Sequence, residues 1–231
     1  MARRHNQKGF TIIELMIALS ILATILTMAT LIMIQIGKWY SKGVNAANLQ
    51  NVSRTTIADI SGSLQFNGST YRTGSATYAG IGTVYAYCVN NVRYSYVLNR
   101  ELGNDQGYSP ALATNHVLWR DTMQTPANCN PLNLSNPSNP TDSDSLSPKP
   151  DGFELVGGHM RLQDLCVTAS SGLYTVTVNM GYGDNDLVKN SAPSAQQGTP
   201  CNGGKMTCNG GPGSEYCSAS NLSTTVKQRI Q

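Results

Sequence analysis

The first 109 residues of this 231-residue chain contain no proline, and residues 10–36 contain a single charged side chain, Glu14. The missing prolines mean that nothing in the covalent structure interrupts a helix over this part of the chain. The missing charges exclude a water-exposed surface helix at residues 10–36, because such a helix needs a polar face. At about 1.5 Å per residue, this segment is long enough to cross a hydrocarbon layer of ~30 Å.

Basic residues are few beyond the N-terminus. The net charge is +3, but three of the 16 basic residues are Arg3, Arg4 and Lys8, and the other 13 balance the 13 acidic residues. No run of Lys and Arg remains that would bind a phosphate backbone. Nucleic acid is therefore a partner that the sequence does not support.

The common motifs of catalytic sites are also missing. The chain has no Gly-x-Ser-x-Gly elbow, no Walker loop, no dinucleotide fingerprint and no His-Glu-x-x-His. Beyond the first nine residues the histidines are His116 and His159, and we expect both to lie at the surface or in turns. The sequence therefore predicts neither an enzyme nor a cofactor.

The long apolar segment has the flanks of a membrane anchor. Basic residues precede it, which predicts a cytoplasmic N-terminus. After it come residues typical of an interfacial belt, Lys38, Trp39, Tyr40 and Lys42. No small-residue cleavage site follows the apolar core, so an ordinary secretory signal is excluded. We expect residues 10–36 to span the membrane once, with the rest of the chain outside.

A helical pattern continues beyond this segment. Apolar and small residues recur at steps of three and four, at Leu49, Val52, Thr56, Ile60 and Leu64. The pattern predicts an amphipathic helix over residues 44–66, closed by Asn67-Gly68. We expect it to continue the membrane helix, with Gly37 and Gly43 as the points where the helix would bend.

The residues after this helix predict an antiparallel sheet of four to six strands at about residues 80–185. Segments rich in β-branched and aromatic residues lie at 83–89, 93–99, 116–121, 153–158, 160–169 and 173–182. Asn90-Asn91 and Ser171-Gly172 are typical of hairpin turns. The predicted fold class is α+β, with the apolar stripe of the helix packed on one face of the sheet.

Six cysteines follow the apolar segment, and they are Cys88, Cys129, Cys166, Cys201, Cys208 and Cys217. Their even number and position indicate disulfides in an oxidising compartment. The last three have spacings unlike those of zinc sites. Since three is odd, at least one of them pairs elsewhere, with Cys166 or Cys129 as a candidate. We expect disulfides to stabilise an irregular tail, residues 190–231.

Two predicted loops contain weak indications of order or of metal binding. The proline-rich residues 122–150 predict a surface loop, ordered at most in part by Cys129. Asp184 and Asp186 could offer oxygens to calcium, as could Asp142 and Asp144, but the spacing of an EF-hand is absent. We therefore expect solvated turns and no metal at these positions.

Tyrosines are frequent in the predicted sheet, at Tyr71, Tyr78, Tyr85, Tyr87, Tyr94 and Tyr96. They could form an adhesive face or one on which nucleic-acid bases stack. Alternating tyrosines in strands more often pack the sheet while their hydroxyls reach solvent. We expect packing.

The segment from Gly9 to Leu15, Gly-Phe-Thr-Ile-Ile-Glu-Leu, follows a basic leader and opens an apolar helix. This combination resembles the processing site of type IV prepilins and related filament subunits. The resemblance implies that residues 1–9 are a leader, which a membrane-bound prepilin peptidase removes after Gly9 before methylating the amine of Phe10. It also implies storage in the membrane and assembly with other pilin subunits, through the helix at residues 10–36, by an inner-membrane platform.

The resemblance gives a physical reason for the position of Glu14. Removal of residues 1–9 leaves a cationic amine on Phe10, and a lone ammonium or carboxylate in an apolar environment costs several kcal/mol. We expect each charge to be unpaired in a single subunit and paired in a filament, where Glu14 would neutralise the Phe10 amine of a neighbour. The helix dipole also favours an anion there. This pairing would fix axial register more than it would add stability.

The head, residues 37–231, has a looser resemblance to minor pilins and to J-type pseudopilins of type II secretion. It rests on residues 54–64, on the segment HVLWRD and on the terminal STTVKQRIQ. The proline kink of many major pilins is missing, and Leu31 lies where it would be expected. The prediction is a minor pilin at the cell surface, where such pili serve adhesion and twitching motility. The alternatives are a type II secretion pseudopilin and, from another class, a membrane-anchored adhesin.

Overall fold

A computed structural model of the chain describes residues 9–66, 71–79, 82–102, 116–123, 128–134, 152–184, 186–191 and 198–229. The chain divides into two compact units after Ser41. The first unit contains the beginning of one long helix. The second contains the rest of that helix and all of the described strands.

The long helix, α1, runs from Ile12 to Phe66 without an assigned break. This confirms one continuous helix, with Gly37 and Gly43 inside it. Beyond Ser41, steps of three and four join the buried residues Leu49, Ser53, Thr56, Ile60 and Leu64 of α1, and Ser61 and Ser63 are buried beside them. The predicted apolar stripe is therefore confirmed, and buried serines widen it.

Ten strands form three antiparallel sheets in the part of the chain that the structure describes. The strands are β1 (Tyr71–Tyr78), β2 (Gly82–Val89), β3 (Val92–Tyr96), β4 (Leu118–Thr122), β5 (Phe153–Glu154), β6 (Met160–Ser170), β7 (Leu173–Tyr182), β8 (Val188–Asn190), β9 (Met206–Cys208) and β10 (Ser218–Lys227). The first sheet has the order β1-β2-β3-β4-β5, the second β10-β7-β6 and the third β8-β9. A short 3₁₀ helix, Ser214–Tyr216, precedes β10.

The expectation of one sheet within residues 80–185 is wrong in two respects. The strands form separate sheets, and β1, β8, β9 and β10 lie outside that interval. The C-terminal region is irregular only in part, because β10 pairs with β7 over ten residues. Strand β1 contains tyrosine and threonine but is interrupted by Gly74, and β10 consists mostly of Ser, Thr, Ala and Asn without an aromatic residue, so the strand signal of both is weak.

Both predicted hairpin turns are confirmed. Asn90-Asn91 joins β2 to β3, and Ser171-Gly172 joins β6 to β7. The backbone φ angles of Ser171 and Gly172 are 51° and 78°. Two consecutive positive φ angles in a two-residue loop match the type I′ turn, whose twist fits that of the flanking strands.

One apolar core joins the head part of α1 to both larger sheets. Leu49, Ile60 and Leu64 of the helix share a cluster with residues of β2, β3, β4, β6 and β7. The oxygen Oγ of Ser63 lies 2.8 Å from the hydroxyl of Tyr94 in β3. Helix packing on a sheet is therefore confirmed, and it involves two sheets.

The opposite face of the first sheet is covered by residues 128–134. Leu132 and Leu134 are fully buried there and pack with Val84, Val97 and Trp119. The expected surface loop is therefore wrong for this part of residues 122–150. The physical reason is the pair of leucines, which the surrounding prolines and asparagines obscure in the sequence.

Polar contacts hold residues 128–134 in place. Arg93 Nη1 donates a hydrogen bond to the carbonyl oxygen of Asn130 at 2.6 Å. The backbone N–H of Leu132 donates to Ser95 Oγ at 2.9 Å. The Cys88–Cys129 disulfide adds a covalent link to β2. This segment is therefore a structural layer of the head.

Gly74 in β1 allows the close approach of this layer. A methyl group at Gly74 would collide with the backbone carbonyl oxygen of Cys129, whereas a methyl group at the helical Gly62 would meet nothing within 4 Å. We expect Gly74→Ala to lower the free energy of unfolding by about 1–3 kcal/mol. Gly62→Ala, the matched control, should raise it by up to about 1 kcal/mol. Thermal unfolding of both variants checks this, and equal midpoints would contradict it.

Candidate functional site: the N-terminal assembly segment

The first residues of α1 form a capping box. The backbone N–H and the hydroxyl of Thr11 both donate to Glu14 Oε2 at 2.9 Å. In return, the backbone N–H of Glu14 donates to Thr11 Oγ1 at 3.3 Å. This reciprocal arrangement satisfies N–H groups that have no partner within the helix, and it explains why α1 begins at Ile12.

The capping box gives Glu14 a contact that the sequence analysis did not name. Its carboxylate accepts two hydrogen bonds from Thr11, while the pairing of its charge with a neighbouring subunit stays a prediction. The spacing Thr-x-x-Glu was a readable signal for this contact. Glu14 is nevertheless exposed, so its carboxylate remains accessible to a group from outside the chain.

Gly9 and Phe10 precede the helix in non-helical backbone. Both residues are exposed, and the side chain of Phe10 is 84% exposed. The bond between them is therefore accessible, as cleavage by a peptidase requires. Their predicted roles in processing and methylation, and that of Glu14 in assembly, stay predictions.

From Leu15 to Ile34, helix α1 contains no charged residue and has apolar side chains on all sides. Large apolar side chains from Ile12 to Ile36 are each more than half exposed. Among the described residues, α1 is the helix long and apolar enough to cross a membrane, and the apolar window has no burial within the chain. A helix that is apolar all round needs an apolar environment, either lipid or other helices.

The hydroxyl groups within this apolar segment have internal partners. Each donates to a carbonyl oxygen three or four residues earlier, at 2.8–2.9 Å, and the donors are Ser20, Thr24, Thr27 and Thr30. Such bonds remove the cost of placing a free hydroxyl in hydrocarbon. These residues are therefore compatible with a membrane span.

The capping box, the accessible Gly9–Phe10 bond and the apolar helix lie in one contiguous stretch. Residues 4–30 match the family model for the prokaryotic N-terminal methylation motif. This motif is the class III signal peptide of type IV pilins. The chain therefore has the N-terminal region of a pilin-like or pseudopilin-like precursor. No curated protein and no solved structure matches the chain.

The methylation motif implies a processing route. It implies cleavage by a prepilin peptidase and assembly with other pilin subunits. Together with the apolar helix it is consistent with membrane anchoring. The functional signal that the comparisons show therefore lies in residues 4–30.

The six cysteines form three disulfides, Cys88–Cys129, Cys166–Cys201 and Cys208–Cys217. The prediction that one of the last three cysteines pairs elsewhere is confirmed for Cys201. A register shift between Leu162 and Asp164 in β6 accompanies this link. The carboxylate of Asp164 then accepts the backbone N–H of Cys201 at 2.8 Å. Burial raises the pKa of this carboxyl.

Most tyrosines of the sheet pack in the core, as expected, but their hydroxyls find partners within the protein. Tyr87, Tyr94 and Tyr96 are at most 4% exposed, so they offer no face for stacking on bases. The hydroxyl of Tyr94 donates to Asp59 Oδ2 at 2.8 Å. Burial raises its pKa, which keeps it protonated as a donor. The expectation that these hydroxyls reach solvent is therefore wrong for Tyr94.

The two histidines of the head differ from each other. His116 is buried, with Nδ1 3.2 Å from Glu154 Oε2, so the expected surface position is wrong. His159 lies in a turn and is exposed, as expected, with Nδ1 2.9 Å from Glu101 Oε1. Sequence reasoning missed both glutamates, because they lie 38 and 58 residues away from their partners.

The weak calcium candidates Asp184 and Asp186 differ in their surroundings. Asp184 lies near Glu101 and His159, and Asp186 is not part of that group. Both aspartates are exposed. Asp142 and Asp144 lie outside the described residues. The exposure of both aspartates agrees with the solvated turns that the sequence predicts.

Proposed function

We propose that this chain is a minor pilin, a structural subunit of a type IV pilus. The match of residues 4–30 to the methylation motif carries the proposal. It is supported by the apolar helix that follows, which has no burial within the chain. The function is assembly, and we propose no catalytic activity.

Before assembly, the subunit would be held in the cytoplasmic membrane by residues 10–36. Basic residues before the span favour a cytoplasmic N-terminus. Three disulfides in the head fit an oxidising location outside the cytoplasm. An inner-membrane platform would then transfer the processed subunit into a filament that reaches the cell surface.

The contacts of the amphipathic half of α1 favour a head that folds separately from the packed helices of the filament. Its buried stripe packs on the two sheets, whereas the large apolar residues from Phe10 to Ile36 are exposed and form the long apolar surface available for assembly. Helix packing between subunits through this surface would bury apolar area without disturbing the head.

Mass spectrometry of sheared surface filaments and of the remaining cell envelope tests the proposal. We expect a peptide that starts at methylated Phe10 in the filaments, in trace amount relative to the dominant subunit. The same peptide confined to the envelope would instead indicate a secretion pseudopilin. An intact N-terminus in the membrane fraction alone would contradict both readings and indicate an anchored adhesin. Dominance of the peptide in the filaments would make the chain the major subunit.

A further inference from the structure

Three side chains from separate parts of the head converge at one end of the second sheet. Potential ligand atoms of Glu101, His159 and Asp184 all lie within 4.8 Å of one another. Glu101 lies in the connection from β3 to β4, His159 directly precedes β6, and Asp184 follows β7. One nitrogen and two carboxylate ligands are therefore available at a single point.

The backbone holds these three positions together. The N–H of His159 donates to the carbonyl oxygen of Leu102 at 3.0 Å, and the N–H of Gly183 donates to the carbonyl oxygen of His159 at 3.2 Å. Glu101 also forms an isolated bridge with Arg161. The convergence thus depends on strand ends and their hydrogen bonds, and a bound ion would not have to order a flexible loop.

We propose that Glu101, His159 and Asp184 bind one divalent transition-metal ion of the Zn²⁺ type. His159 Nδ1 and Glu101 Oε1 are 2.9 Å apart, and a tetrahedral ion with bonds of about 2.1 Å would need them to separate to about 3.4 Å, a shift of about half an ångström. An imidazole with two carboxylates suits Zn²⁺ and related ions, whereas Ca²⁺ takes six to eight oxygens. Water would complete the coordination, because His159 and Asp184 are exposed.

Neighbouring residues orient the first two ligands. Arg161 Nη2 donates to Glu101 Oε2 at 2.9 Å and to the carbonyl oxygen of Gly183 at 2.8 Å. Glu101 Oε1 is thereby directed towards His159. The ring of Tyr182 contacts the imidazole edge-on at 6.3 Å between centroids. Such outer contacts typically fix the orientation of metal ligands.

Binding would require a change of tautomer at His159. In the absence of an ion, the proton between Nδ1 and Oε1 lies where the ion would bind. The neutral ring would carry its proton on Nε2 instead and present the lone pair of Nδ1 to the ion. The half-exposed side chain of His159 allows this exchange with solvent.

Titration of the full chain in detergent micelles, without a histidine tag, tests the site. We expect one Zn²⁺ per chain by isothermal titration calorimetry, and visible absorption bands with Co²⁺ as a spectroscopic probe. The variants His159→Ala, Glu101→Gln and Asp184→Asn should each bind at least about tenfold more weakly. Asp186→Asn, an exposed aspartate two residues from Asp184, is the matched control and should bind like the original chain.

Two outcomes would overturn the proposal. The first is no uptake of Zn²⁺ by the original chain, which would leave Glu101 and His159 as a hydrogen-bonded pair only. The second is unchanged affinity in Asp184→Asn and His159→Ala, which would place the ion elsewhere. Because Asp184 is exposed, the variant Asp184→Asn should fold. It therefore tests the site even if the variant of the less exposed Glu101 fails to fold.

Discussion

Replacing Asp121 with alanine should lower the free energy of unfolding by about 3–5 kcal/mol. Asp121 in β4 and Arg93 in β3 face each other in the antiparallel register. Arg93 Nε donates to Oδ1 at 3.1 Å and Nη2 to Oδ2 at 2.8 Å, and both side chains are fully buried. Removal of the carboxylate would take both of these hydrogen bonds, and the negative charge that accepts them, away from a buried guanidinium.

The loss of stability should extend to residues 128–134, which cover the first sheet. Arg93 also donates to Asn130 in residues 128–134, so a displaced guanidinium would weaken this segment as well. Urea unfolding of the full chain in detergent, followed by tryptophan fluorescence, measures the change. Trp119 lies in β4, two residues from Asp121.

A double variant separates the charge from the packing. Arg93→Met combined with Asp121→Leu removes both charges and retains apolar volume, so it should lose less stability than Asp121→Ala alone. If the double variant were the less stable of the two, hydrogen bonding of Arg93 to residues 128–134 would outweigh the cost of the unpaired charge.

Helix α1 and the methylation motif were predictable because their signals are local. The apolar run and the stripe that starts at Leu49 extend over many turns, and no glycine or proline competes with them strongly enough to end the helix. The segment from Gly9 to Glu14 is contiguous, so its residue types and spacing are visible together. Its capping box was equally local, although Thr11 was not recognised as the partner of Glu14.

The two larger sheets, and residues 128–134 that cover the first of them, depend on contacts between residues that are distant in the sequence. Strand β10 is polar and alternates weakly, and its pairing with β7 decides its structure. Leu132 and Leu134 are buried because Val84, Val97 and Trp119 form a surface for them, which no local pattern reveals. The same holds for His116, whose partner Glu154 also accepts the N–H of Leu118 at 2.8 Å.

The proposed metal site also depends on residues that are distant in the sequence. Glu101 and His159 are 58 residues apart, and neither belongs to a motif with ligand spacing. Asp184 was noted only with Asp186, its neighbour in the sequence. The antiparallel pairing of β6 and β7, with Met160 opposite Tyr182, brings residues 159 and 184 to one end of the sheet.

Replacing Glu14 with alanine should remove the chain from surface filaments while leaving cleavage after Gly9 intact. In an assembled filament the new amine of Phe10 would lie among apolar helices, where a lone ammonium is strongly disfavoured. The carboxylate of Glu14 in a neighbouring subunit would supply the counter-ion. We expect at least about a tenfold loss from sheared filaments, measured by quantitative mass spectrometry against the membrane-bound pool.

The capping box provides the control that decides what Glu14 does. Thr11→Val removes the hydroxyl that bonds Glu14 Oε2 but keeps the carboxylate, so filament incorporation should persist if charge neutralisation is the role of Glu14. Loss of incorporation in Thr11→Val to the same extent as in Glu14→Ala would instead assign Glu14 to initiation of α1. Glu14→Gln retains a side-chain oxygen that can accept from Thr11 but loses the charge, and it should behave like Glu14→Ala. The pair Thr11→Val and Glu14→Gln thus separates the hydrogen bond within one subunit from the charge that a second subunit requires.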